Sequence, residues 1–96
     1  MARGWGKSRE GGAMAVDIKK IEACVIILAS EHSGRRRKDV SKRAKLMDDL
    51  GMDELDTLEF EMSLEDEYGF EIPNDNWADD ITVQGVIDYV VKRLEE

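Results

Sequence analysis

Cysteine, proline and histidine each occur once in these 96 residues, and aromatic side chains make up only 6% of them. The lone Cys24 excludes an internal disulfide framework, so packing must supply the stability. One cysteine and one histidine give neither a metal-ligand spacing nor a nucleophile–base pair, and no enzyme activity is expected. Cys24 falls in the apolar run 23–29 and reads as core, while His32 reads as a helix-terminus residue. That run is the longest apolar stretch, far short of the roughly 18 residues that a membrane span needs. No hydrophobic signal segment follows Met1. One small cytoplasmic domain is expected, with no membrane partner.

Charge is abundant and unevenly placed. The chain has 14 Lys+Arg against 22 Asp+Glu, a net of −8. Through Met47 the balance is +7, and from Asp48 onward it is −15. Such asymmetry speaks to partners more than to fold. The acidic half attracts basic proteins and repels nucleic acid and membrane surfaces, whereas the basic half attracts anions. The plain alternative is a pair of solvated faces that neutralise each other.

Residues 1–15 hold four glycines and little apolar content beyond Trp5. They read as a disordered tail, natural or vector-derived, outside a folded domain of residues 16–96. A first helix is expected from Val16 or Asp17 to Gly34, with Ile18, Ile21, Val25, Leu28 and Ala29 on one face. A basic loop follows, carrying Arg35, Arg36, Arg37, Lys38, Lys42, Arg43 and Lys45, with a helical turn near Val40 to Ala44. The second helix is acidic: ten acidic residues and no basic one lie between Asp48 and Glu67. Leu55, Leu58, Met62 and Glu65 form one line along it, with Phe60 and Leu64 beside. Gly69 suits its C-terminus, and Pro73 stops residues 70–72 from running on helically. Residues 74–80 are expected to form one short helical turn with Trp77 packed inward. Thr82 is a good cap for a last helix built on Val83, Val86, Ile87, Val90 and Leu94. The expected class is all-α, a small four-helix bundle of three longer helices plus one short.

The segment Asp49-Leu50-Gly51-Met52-Asp53-Glu54-Leu55-Asp56-Thr57-Leu58-Glu59 resembles the acyl carrier protein signature D-L-G-x-D-S-L-D-x-x-E. The likeness continues through Tyr68-Gly69-Phe70-Glu71-Ile72-Pro73, similar to F-G-x-x-I-P, and through Ile81-Thr82-Val83-Gln84-Gly85-Val86-Ile87-Asp88-Tyr89-Val90, similar to T-V-x-x-x-I-x-Y-I. Together these cover most of the chain from about Val16 to Glu96. The resemblance implies the four-helix carrier fold. It also implies a 4′-phosphopantetheine arm on a serine hydroxyl, at a position flanked by Asp53 and Leu55.

At that position this sequence has Glu54. A carboxylate attacking the pyrophosphate of coenzyme A would form an acyl–phosphate anhydride, which water hydrolyses readily. A fixed anion would also repel the incoming phosphate. No cofactor is therefore expected on the chain as written. Two origins fit: a natural paralogue without the arm, or a working acyl carrier whose serine was replaced in the laboratory. The resemblance further implies a monomer whose second helix docks on basic patches of acyl-transfer or synthase enzymes, in fatty acid, polyketide or related pathways. Asp53, Asp56, Glu59 and Glu65 would be the charged contacts, Met62 the apolar one, with Met52 at the border. Glu61 stands where the family usually has an apolar contact residue, and the basic loop exceeds the family's usual charge.

Two readings from other classes are weaker. Residues 48–59 have the length of a calcium-binding EF-hand loop, but Leu50, Met52 and Asp53 occupy its third, fifth and sixth positions, where ligands and a glycine are needed. Anion or nucleic-acid binding by the seven basic residues of the 35–45 loop runs against the net charge and lacks interleaved aromatics. The bland alternative for that loop is that it folds back on the acidic helix and neutralises part of it.

Overall fold

A computed structural model describes residues 16–73 and 77–95, so the expected tail at residues 1–15 lies outside the described residues. Three α-helices form the frame: α1 (Ile18–Ser33), α2 (Glu54–Tyr68) and α3 (Val83–Glu95). A short 3-10 turn spans Arg37–Asp39. The all-helical class is as expected, but the bundle has three helices among the described residues, not four. Residues 77–80 form a bend and a turn where a short helix was expected, and residues 74–76 lie outside the described part. Trp77 supplies the physical reason. Its ring packs against Phe60 of α2 and Tyr89 of α3, with centroids 6.2 and 5.7 Å apart, and anchors residues 77–80 to both helices.

Local signals set the ends of each helix. The Asp17 carboxylate accepts from the Lys20 amide at 3.2 Å, so Asp17 caps α1 from outside. Gly34 closes α1 in the left-handed region at φ 76°, where a side chain would be strained. Thr82 caps α3, its hydroxyl accepting from the Gly85 amide at 3.0 Å. The next two amides of α3 are also satisfied from outside the helix, Val83 by the Ala44 carbonyl at 2.9 Å and Gln84 by the Lys42 carbonyl at 2.8 Å. An isolated antiparallel bridge between Lys45 and Thr82 belongs to the same contact.

The basic loop is therefore a structural strap. Although it looks solvated in the sequence, it and the turn after it bury Val40, Ala44, Leu46, Leu50 and Met52 in the core. These join Ile21, Val25 and Ala29 of α1, Phe60 and Leu64 of α2, and Val83, Val86, Ile87 and Val90 of α3. α1 packs against both other helices. Between α2 and α3 the aromatic series Phe60, Trp77 and Tyr89 bridges the gap.

The acidic helix and the cleft beside it

α2 begins later than the charge pattern alone suggests, because residues 46–50 form turns and Glu54 is the first helical residue. Asp53 caps it. The Asp53 carboxylate accepts from the Asp56 amide at 2.8 Å, and the Asp56 carboxylate accepts from the Asp53 amide at 3.3 Å. Two of the expected docking carboxylates thus form a reciprocal box that starts the helix. Glu65 is likewise engaged, accepting from the Ile72 amide at 2.6 Å. Glu59 is fully on the surface.

The line Leu55, Leu58 and Met62 lies on the outward face. These side chains are 61, 43 and 53% exposed, while Phe60, Glu61 and Leu64 form the buried face. An exposed apolar stripe thus runs up a helix whose neighbouring positions include Glu54, Glu59 and Asp66. The ion pairs found among the described residues, Arg36–Asp39 at 3.1 Å and Lys42–Glu22 at 3.3 Å, do not involve α2. The basic loop thus pairs within itself and with α1. No ion pair among the described residues joins it to α2.

Glu54, the residue at the family's attachment position, is exposed at the first turn. Around it stand the Asp53 and Asp56 carboxylates and no accessible hydroxyl. Thr57 Oγ1 is buried. The Ser63 hydroxyl, two turns on, lies 3.0 Å from His32 Nε2. These residues do not fit a phosphodiester-linked arm: the nucleophile is missing and an incoming phosphate meets three carboxylates.

Glu54 also stands at the rim of a cleft of about 290 Å³. α2 supplies one wall through Glu54, Thr57, Leu58 and Glu61, and the other comes from Leu46 and the 77–81 loop. Among the described residues Glu61 is the one charged side chain that is buried, 7% exposed. Burial pushes its carboxyl above the ordinary glutamate range, and the Glu65 charge adds to the shift. The Thr57 hydroxyl and the Trp77 indole N–H are buried without hydrogen-bond partners. The sequence marked Glu61 as odd for its position and Trp77 as inward-facing, but not that they face the same space. Thr57 carried no signal at all.

The remaining sequence candidates have structural explanations. Cys24 is half-buried, and its thiol hydrogen-bonds with the Tyr68 hydroxyl. Burial, opposed by that bond and assisted by Glu67 and Glu31, pushes the thiol up and away from the reactive thiolate form. His32, expected at a terminus, stands in the last turn of α1 against Phe60, with ring centroids 6.1 Å apart. Residues 54–59 of the twelve-residue acidic stretch are helical, so no calcium loop forms there. Among the described residues no group of three His, Cys, Asp or Glu side chains is placed to hold a metal ion. No helix among them is long and apolar enough to cross a membrane. No family model matches the chain.

Proposed function

We propose that this chain is an acyl-carrier-like interaction module that docks on basic surfaces of acyl-transfer or synthase enzymes through α2 and carries no prosthetic arm. The supporting observation is the face of α2. Leu55, Leu58 and Met62 are exposed in a row beside carboxylates that form no ion pair with the basic loop among the described residues. An apolar stripe edged with one sign of charge suits a partner with a basic rim and an apolar centre. Long-range attraction accelerates encounter and selects the partner, while the three apolar side chains supply the contact area. The motif order seen in the sequence narrows the partner class to acyl-transfer enzymes. Glu54 then makes the module a non-covalent one.

Incubation with coenzyme A and a broad-specificity phosphopantetheinyl transferase, read by intact mass, tests the reading. No mass increase is expected for the chain as written, and an increase would overturn it. The Glu54→Ser variant should gain the arm if the surrounding surface retains carrier recognition. If that variant stays unmodified, the carrier resemblance fails. Association with a carrier-dependent ketosynthase should weaken as salt rises. Salt-independent binding would remove the electrostatic docking.

A further inference from the structure

We infer that the cleft between α2 and the 77–81 loop is a binding site for a small organic cation, a primary ammonium on a short aliphatic body, held at Glu61. This inference does not rest on the docking reading, because it concerns the inward edge of α2, which shares only Leu58 with the exposed stripe.

Three polar groups belong to residues that line this one space. They are the Glu61 carboxyl, 7% exposed, and the fully buried Thr57 Oγ1 and Trp77 Nε1. The Thr57 and Trp77 atoms have no hydrogen-bond partner and form the wall behind the cleft. The Glu61 carboxylate, largely withdrawn from water, is the group that a ligand of opposite charge matches. Glu54 and Asp79 add two carboxylates to the lining, and no basic residue contributes to it. A cleft lined by one sign of charge between low-dielectric walls concentrates its field on whatever enters.

The lining also selects among cations and against other ligands. A metal ion needs several ligands converging on one point, and no such cluster exists among the described residues. An anion meets Glu54, Glu61 and Asp79 head on. A plain hydrocarbon chain would cover the Glu61 carboxyl and leave it unsatisfied, which burial makes costly. An ammonium instead donates to the Glu61 carboxylate, while its aliphatic body covers Leu46, Leu58 and Ile81. The volume of about 290 Å³ lies at the small end for ligand sites and suits such a molecule.

The experiment compares three probes of one chain length, n-hexylammonium, 1-hexanol and hexanoate, titrated into the full chain. NMR follows the Trp77 indole N–H and the Glu61 side-chain carboxyl. Hexylammonium should give saturable shifts at both groups in the millimolar range. The alcohol and the carboxylate should bind at least about tenfold more weakly, and Glu61→Gln should weaken hexylammonium by about tenfold. Equal or tighter binding of hexanoate or hexanol would overturn the inference and mark an ordinary apolar cleft. So would hexylammonium binding that ignores Glu61→Gln yet falls with Glu59→Lys, since that places the cation on the outer surface. Absence of any saturable shift would overturn it too. Should Glu61→Gln fail to fold, the wild-type Glu61 carboxyl resonance still decides, and Glu54→Gln at the rim provides a second, milder variant with an expected loss of a few fold. Failure of the coenzyme A loading tests bears on the carrier reading and leaves these titrations untouched.

Discussion

The Glu65 carboxylate accepts the backbone N–H of Ile72 at 2.6 Å. The Glu65 carbonyl meanwhile accepts the N–H of Gly69 at 2.8 Å. One residue therefore both ends α2 and turns the chain so that Ile72 enters the core, where it is buried. A side chain that the sequence suggested for partner contact is committed to holding the fold. Replacing Glu65 by alanine is expected to lower stability by about 2 kcal/mol, the range for hydrogen bonds to charged groups. Glu65→Gln, which keeps an acceptor, should lose less. Urea unfolding of both variants checks this, and an unchanged midpoint for alanine would show that the loop is held without Glu65.

Arg93 holds the same loop from the other side. Its guanidinium lies 4.5 Å from the centre of the Phe70 ring and donates to the Glu71 carbonyl at 2.7 Å and the Tyr89 hydroxyl at 2.8 Å. A planar fork that stacks and donates in several directions is not replaced by an ammonium. Arg93→Lys should therefore cost about 1 kcal/mol although the charge is kept. Calorimetry of that variant beside Arg93→Ala would separate the loss of fork geometry from the loss of charge.

Glu61 predicts a dependence on pH. Its carboxyl is raised by burial, with Glu65 adding to the effect, so the folded protein holds this proton more tightly than the unfolded chain does. Below about pH 4 the group is protonated in both states and costs little. As pH rises past the unfolded value, the unfolded chain releases the proton first, and the penalty on folding grows until pH exceeds the folded value. Glu61→Leu should thus stabilise the protein by about 1 kcal/mol near neutral pH. The gain should shrink toward acid. Thermal unfolding of both proteins across that window tests the sign, and a gain that is constant or larger in acid would contradict it.

Several helix ends were open to reading from sequence because each rests on a local signal: Gly34 for α1, Gly69 for α2, and Thr82 with the valine spacing for α3. By contrast, α1 starts at Ile18 because Asp17, expected within the first turn, caps it from outside. The facing of α2 was not open to reading, since its apolar residues surround much of the helix. Leu55, Leu58 and Met62 make as good a stripe as Phe60 and Leu64, and only tertiary packing decides between them. Leu46 and Leu50 were hidden for another reason, being core residues on turns with no period to betray them, and Met52, expected at the border of the docking surface, is buried with them. The cleft is a third kind of case. Thr57 and Glu61 are one turn apart on α2, but Trp77 joins them from the 77–81 loop, and no spacing along the chain announces that meeting.

Docking through α2 is best tested at residues that have no part in holding the fold. Asp53 and Asp56 bond each other's amides, so charge reversal there unravels the helix start as well as any interface. Asp53→Ala alone should cost about 1 kcal/mol of stability, and weaker binding by that variant would be ambiguous. Glu59 is exposed, and Met62 is 53% exposed. Changes at these two should leave stability within about 0.5 kcal/mol. Glu59→Lys should slow association about tenfold at low salt and far less at high salt, because a rim charge acts on encounter. Met62→Ala should instead speed dissociation at every salt concentration, because an apolar contact acts after encounter. Stopped-flow or surface-plasmon measurements against a carrier-dependent synthase resolve both rates. If both substitutions leave both rates unchanged while the protein stays folded, the outward face of α2 is not where this chain meets its partner.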